Sequence, residues 1–239
     1  MPRPTTVSRR PWPGGVGVVG WLDLHGDERV LDAGCGTGRV TVKLLERLPR
    51  GQVIALDGSP SMIELAHERF GDDPRVKLVV ADLIDPLPID EPVDAILSTA
   101  TFHWILDHDS LFRNLAKVLR LGGQLAAQCG GAGNIGSIEG ALRDMGEDFE
   151  GRKRYATAED TARLLEAAGF TDVETWLHDE PTDLDPEDVE PYLSTICLGD
   201  HVETMTDDER TLFVHEVAIR LPESRIDYVR LNIRARRAG

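Results

Sequence analysis

From about residue 29 to residue 128, short apolar runs rich in β-branched residues alternate with stretches whose apolar positions recur every three or four residues. Val30-Leu31, Val53 to Leu56, Val76 to Val80, Val93 to Leu97 and Gln124 to Gln128 read as strands. Between them, Leu44, Leu45 and Leu48 mark the inner face of one helix, and Met62, Ile63, Ala66 and Phe70 that of a second. Leu111, Phe112, Leu115, Val118 and Leu119 mark a third. Ser59 opens the second helix with Pro60 at the first helical position, where a missing N–H costs nothing. The third is expected to be capped by Asp109 and stopped by Gly122-Gly123. Strands alternating with helices predict βαβ units and an α/β fold around a doubly wound, mostly parallel sheet.

Beyond residue 128 the pattern changes. Gly130-Gly131-Ala132-Gly133-Asn134-Ile135-Gly136 reads as a hinge or close-approach loop. Thr157 with Asp160 predicts a capping box opening a helix that Gly169 closes, and Val173 to Leu177 reads as a sixth strand. The acidic, proline-bearing stretch Asp179 to Glu190 reads as a solvated connection. Two helical patterns follow, the second capped by Thr206 with Glu209. Residues 226 to 235 then alternate, with Val229, Leu231 and Ile233 inward and Arg230, Asn232 and Arg234 outward, as in a half-buried seventh strand. The expectation is one domain, 1–239, with a binding core at about 20–128 and two insertions at about 130–156 and 179–224.

Composition narrows the function classes. The net charge of −16 counts against a nucleic-acid partner, because phosphate binding needs clustered Lys and Arg. No stretch approaches the roughly 20 apolar residues of a membrane span, and no segment reads as a signal peptide. Cys35, Cys129 and Cys197 are odd in number and scattered, so neither a disulfide framework nor a metal site is expected. A cytoplasmic protein, monomer or homodimer, acting on a small molecule fits these bounds.

The strand ending at Leu31 runs into Asp32-Ala33-Gly34-Cys35-Gly36-Thr37-Gly38 and then directly into a helix, so these glycines occupy a strand-to-helix turn whose N–H groups can face a ligand. A second acid, Asp57, ends the next strand, where a carboxylate can accept from ribose hydroxyls. A dinucleotide fingerprint would read G-x-G-x-x-G/A; the shorter spacing here disfavours a pyrophosphate ligand. An NAD-dependent oxidoreductase is thus the weaker alternative.

The segments "VLDAGCGTGRVT", "VIALDGSPSMIELA", "VVADL" and "VDAILSTATFHWI" together resemble successive motifs of class I S-adenosylmethionine-dependent methyltransferases, in particular the trans-aconitate methyltransferase-type branch. The resemblance covers about residues 12 to 128. It implies a seven-stranded Rossmann-like methyltransferase fold with helical lid insertions, and a transferase moving a methyl group from S-adenosyl-L-methionine to a small-molecule oxygen, nitrogen or carbon, with S-adenosyl-L-homocysteine as product. It places the donor's methionine moiety against Asp32, Gly34, Cys35 and Gly36, with Asp57 on the ribose hydroxyls and Gly58, Ser59 and Met62 around ribose and adenine. It places Asp82 and Leu83 at the adenine amino group, and Ser98, Thr99 and Ala100 at the methyl-transfer end.

Several residues keep two readings. Met62 suits the core as well as an adenine contact, and Asp82 could cap the turn before Pro86. Cys35 reads as small packing rather than a nucleophile. His103 is a general base, a hydrogen-bond donor to substrate or an orienting group, and Phe102 and Trp104 shape either the acceptor site or the core. Arg152-Lys153-Arg154 is a solvated turn or a partner for a substrate carboxylate, and Tyr155, Trp176 and Tyr192 are further candidates. Two departures from the family pattern stand out. The segment with Trp12-Pro13-Gly14-Gly15 is shorter than the tyrosine-bearing leader that family members often use to close over the donor, and no arginine set for a tricarboxylate is legible. A non-catalytic protein that binds S-adenosylmethionine is a further alternative.

Overall fold

Val30, Leu31 and Ala33 on one strand and Val53, Ala55 and Leu56 on the next have no exposed surface, as strands of a parallel sheet covered on both faces require. The structure is a computed structural model and describes residues 17–147 and 153–239. Trp12 to Gly15 and Arg152 lie outside the described residues.

In chain order the elements are β1 (Arg29–Ala33), α1 (Arg39–Arg47), β2 (Gln52–Asp57), α2 (Pro60–Phe70), β3 (Val76–Val80), β4 (Val93–Thr99), α3 (His108–Val118) and β5 (Leu119–Gly130). There follow α4 (Gly136–Asp144), α5 (Ala158–Ala167), β6 (Phe170–Asp179), β7 (Thr182–Asp183), α6 (Val189–Tyr192), α7 (Gly199–Val202), α8 (Asp207–Ala218), β8 (Arg225–Ile226) and β9 (Val229–Arg237). They divide into two compact units, the first up to Ala132 with Lys153–His178 and Leu231–Gly239, the second Gly133–Arg152 with Asp179–Arg230.

The first unit holds a seven-stranded sheet in the order β3-β2-β1-β4-β5-β9-β6, with β1 through β5 pairing in parallel. The chain order reverses between β1 and β4. Open α/β sheets bind ligands beyond the carboxyl ends of strands at such a switch point. Thr41 and Leu44 of α1 and Ala66 of α2 are fully buried, whereas Met62, also marked for the inner face of α2, is exposed.

Three local expectations are corrected. Asp107, not Asp109, caps α3 by accepting from the Ser110 amide at 3.0 Å, since the chain leaves the extended conformation two residues earlier than the apolar stripe suggests. Gly122-Gly123 does not stop that helix. Leu119 already begins β5, and Gly122, at φ 73, absorbs a register shift against β4. Asn232, expected outward on the last strand, is fully buried, where it accepts from Gln128 Nε2 at 2.8 Å. The other capping signals hold locally, except that Thr157 with Asp160 makes a one-way cap and not the expected box. Ser59 accepts from the Met62 amide, Thr157 from that of Asp160, and Thr206 with Glu209 forms a two-way box.

In the second unit Asp227 fixes the start of α4 through the amide and hydroxyl of Ser137, while β7 and β8 form a short antiparallel pair. Tyr192 and Tyr228 join hydroxyls at 3.0 Å.

Candidate functional site

Asp32, one residue before the end of β1, has no exposed surface. Thr41, on the first turn of α1, donates its hydroxyl to Asp32 Oδ2 at 2.6 Å, and Oδ1 is buried with no hydrogen-bond partner among the described residues. Burial, with a smaller contribution from the Asp57 charge and against the Thr41 hydrogen bond, pushes the Asp32 carboxyl up to about 6. The turn that follows is tied to β2, because the amides of Gly34 and Cys35 both donate to the Leu56 carbonyl, at 2.8 and 2.9 Å.

Its three glycines all have positive φ, but for different reasons. A Cβ on Gly34 would stand 2.2 Å from the Thr101 side chain, and one on Gly38 2.1 Å from the Phe70 ring. A Cβ on Gly36, at φ +53, would meet no atom of the described residues within 4 Å. Two glycines are therefore required by packing, and the middle one leaves backbone bare toward open space. Cys35 is buried, and burial together with the Asp32 and Asp57 charges pushes its thiol well above its ordinary value, as suits packing and not attack.

Asp57 at the end of β2 accepts from the Gly36 amide at 2.8 Å through Oδ2 and from the Ser59 amide at 2.9 Å through Oδ1. Each oxygen keeps a further lone pair for a ligand hydroxyl. A Cβ on Gly58 would find its nearest neighbour, the Ala81 carbonyl, at 3.8 Å, so the chain is loosely packed there. Met62 is 39 % exposed, which removes the core reading for it. Asp82 accepts from the Ile84 amide at 3.1 Å and thus holds its own turn. Leu83 packs its side chain into the core.

At the end of β4 one expectation is corrected, and just beyond it one open reading is decided. Ser98 is buried and donates to the Ala33 carbonyl at 2.7 Å, so its hydroxyl ties β4 to β1 and does not face the methyl-transfer end. Phe102 is buried and meets Phe112 edge-on at 5.9 Å, a core pair and not a substrate contact. Strand register, invisible in the sequence, turns Ser98 inward, whereas Phe102 lies beyond β4 in the 3₁₀ turn Phe102–Trp104. Thr99 and Gly34 supply the carbonyls that the Thr101 hydroxyl contacts, at 2.9 and 3.1 Å. Between Thr99 and Thr101, Ala100 takes φ 53.

His103 lies in the short 3₁₀ turn Phe102–Trp104. Its Nδ1 accepts from the Gly130 amide at 3.3 Å, so the neutral ring carries its proton on Nε2. The ring stacks on Tyr155 at 5.9 Å and 24°, and lies 5.3 Å from Trp104, which is 46 % exposed with Lys153 Nζ 4.1 Å from its ring centroid. The backbone amide of Arg154 donates to the His103 carbonyl. The structure thus brings Lys153 and Tyr155, two candidates without an assigned place in sequence, to His103 and Trp104. Trp176 lies elsewhere, 5.4 Å from Trp21, and Tyr192 belongs to the second unit. Sequence reasoning passed over Thr41, Thr101 and His108. The last is buried, its Nε2 2.9 Å from the Phe102 carbonyl, and burial holds its pKa below the usual histidine value. Thr41 stands one helical turn before Leu44 on the buried face of α1, so helical phase alone could have found it. Among the described residues no group of three or more His, Cys, Asp or Glu is placed to hold a metal ion.

Residues 30–123 match the family described as "Methyltransferase domain". Among curated proteins, the chain is 31 % identical over 144 residues to malonyl-[acyl-carrier protein] O-methyltransferase 1 of Ilyobacter polytropus, covering 59 % of this chain and 53 % of that one. It is 36 % identical over 146 residues to trans-aconitate 2-methyltransferase of Acidovorax sp., covering 60 % and 54 %. The chain therefore spans about half the length of these curated relatives. Among solved structures, geranyl diphosphate C-methyltransferase from Streptomyces coelicolor A3(2), in complex with Mg2+, geranyl diphosphate and S-adenosyl-L-homocysteine, shares the fold with a TM-score of 0.58 at 19 % identity, over 92 % of this chain and 77 % of that one. The sheet is thus that of the Rossmann-like methyltransferase fold.

Proposed function

Because residues 30–123 match the methyltransferase domain family, we propose that the chain transfers a methyl group from S-adenosyl-L-methionine to a small-molecule acceptor. One observation carries this reading: Gly36 leaves its backbone bare toward open space while donating to Asp57, whose two oxygens retain acceptor capacity for a ribose. The unpartnered Oδ1 of Asp32 fits the same ligand, since a buried carboxylate oxygen calls for a cation. Met62 and the Gly58-Ser59 segment would border the nucleoside, and Asp82 the adenine amino group. When bound, the donor supplies a sulfonium-activated methyl group. The G-x-G-x-G spacing again weighs against NAD.

The chain's own contribution is alignment and exclusion of water. With Nδ1 occupied by the Gly130 amide, His103 is arranged as a donor through Nε2 and not as a proton acceptor there, which favours an acceptor oxygen that is already ionised. The substrates named for the two curated relatives both carry a carboxylate, and a carboxylate is the acceptor class we adopt. The two insertions, about 130–156 and 179–224, are proposed to set acceptor specificity. The net charge of −16 supports a partner other than nucleic acid, and no described helix is long and apolar enough to cross a membrane. We place the protein in the cytoplasm as a monomer or homodimer.

The test is incubation with methyl-labelled donor and separate panels of carboxylic acids, phenols and indoles. Label in a carboxylic acid is expected. Label only in phenols or indoles would overturn the acceptor class, and donor binding without transfer to any acceptor would make the protein a binder.

A further inference from the structure

Thr41 and Asp32 form an enclosed pair. Both are 0 % exposed, and the Thr41 hydroxyl has a carboxylate oxygen at 2.6 Å as its partner. A helical threonine ordinarily returns its hydroxyl to a carbonyl one turn back. Here the single hydroxyl proton goes across to the end of β1 instead, and occupies Oδ2 alone. Oδ1, on the same carboxylate, has no partner among the described residues. Leaving a buried carboxylate oxygen unpaired is costly and has no folding purpose, so the pair points to a cation supplied from outside the chain.

We infer that Thr41 is a positioning residue for the methyl donor: by holding Oδ2 it presents Oδ1 to the donor's α-ammonium group. This rests on the reading that the site binds S-adenosylmethionine. The groups that face Asp32 are Asp57 from β2 and Cys35 from the turn. The Cys35 thiol stays neutral, so Asp57 is the charge that opposes ionisation of Asp32, and burial opposes it more strongly. The Thr41 hydrogen bond works in the other direction, toward the ionised form that an ammonium needs. Without it, Asp32 would ionise only at higher pH.

Calorimetric titration separates this from a merely structural role. The ligands are S-adenosylhomocysteine, which carries the amino-acid group, and 5′-methylthioadenosine, which lacks it. In Thr41→Val, S-adenosylhomocysteine should bind roughly tenfold more weakly near neutral pH, as loss of a hydrogen bond to a charged group implies, with 5′-methylthioadenosine affinity nearly unchanged. The pH at which S-adenosylhomocysteine affinity fades on acidification should move upward, and Thr41→Ser should restore wild-type behaviour in both respects. Equal weakening of both ligands in Thr41→Val, or wild-type affinity and pH dependence in that variant, would overturn the inference while leaving the donor site intact. Failure of the wild type to bind either ligand would overturn the donor reading and this inference with it.

Discussion

The amide of Gly36 donates to the Asp57 carboxylate at 2.8 Å, so the acid at the end of β2 also holds the turn at the end of β1 in shape. Turn and acid form one device, and substitutions on either side should be felt by both.

The glycines of the turn should separate by mechanism. Gly36→Ala places a methyl group in open space and bears only the strain of positive φ, about 1 kcal/mol, so thermal stability should fall modestly while affinity for S-adenosylhomocysteine is lost. Gly34→Ala drives a Cβ into Thr101 and should lower stability by about 3 kcal/mol or more in chemical denaturation. Equal stability of the two variants would contradict this division.

Asp32 should oppose folding at high pH. Its carboxyl is raised from 3.8 to about 6 in the folded chain, so its contribution to stability is fully present below 3.8 and is lost as pH rises through about 6. In the absence of donor, Asp32→Asn should be more stable than wild type at pH 8 by up to about 3 kcal/mol, the difference closing toward pH 4. Urea unfolding at the two pH values measures it. A variant no more stable than wild type at pH 8 would show that the Asp32 charge is accommodated without penalty.

For a carboxylate acceptor, His103→Ala should raise KM and lower kcat by less than about a hundredfold, since a lost donor does less damage than a lost general base. Steady-state kinetics decides. Abolition of kcat at unchanged KM would assign His103 the proton-transfer role instead.

Phe102 tests the corrected boundary between site and core. Phe102→Ala should cost about 3 to 5 kcal/mol by denaturant unfolding, whereas Trp104→Ala, at an exposed position, should cost under about 1.

The alternation of buried runs and helical stripes made β1 through β5 and α1 through α3 legible, because a parallel sheet covered on both faces leaves its strands almost purely apolar. The placement of Asp32 near the end of β1, Gly36 in the turn that follows and Asp57 at the end of β2 was legible too, because each stands beside a strand whose apolar run marks its limits. Ser98 was not, since the direction of a side chain at the end of β4 depends on its register with β1 and β5, and neither was the burial of Phe102, which lies in the 3₁₀ turn after β4 and packs on Phe112. Nor was the meeting of Trp104 with Lys153 and of His103 with Tyr155, residues far apart in sequence that the hydrogen bond from the Arg154 amide to the His103 carbonyl brings together. Asn232 misled because its amide partner, Gln128, lies on another strand.

The most direct measurement is calorimetric titration of S-adenosylhomocysteine into the wild type and Asp57→Ala. The wild type should bind, and the variant should bind at least about tenfold more weakly, since it loses both the proposed ribose acceptor and the support of the Gly36 amide. Undiminished affinity in Asp57→Ala, or no binding by the wild type, would contradict the account.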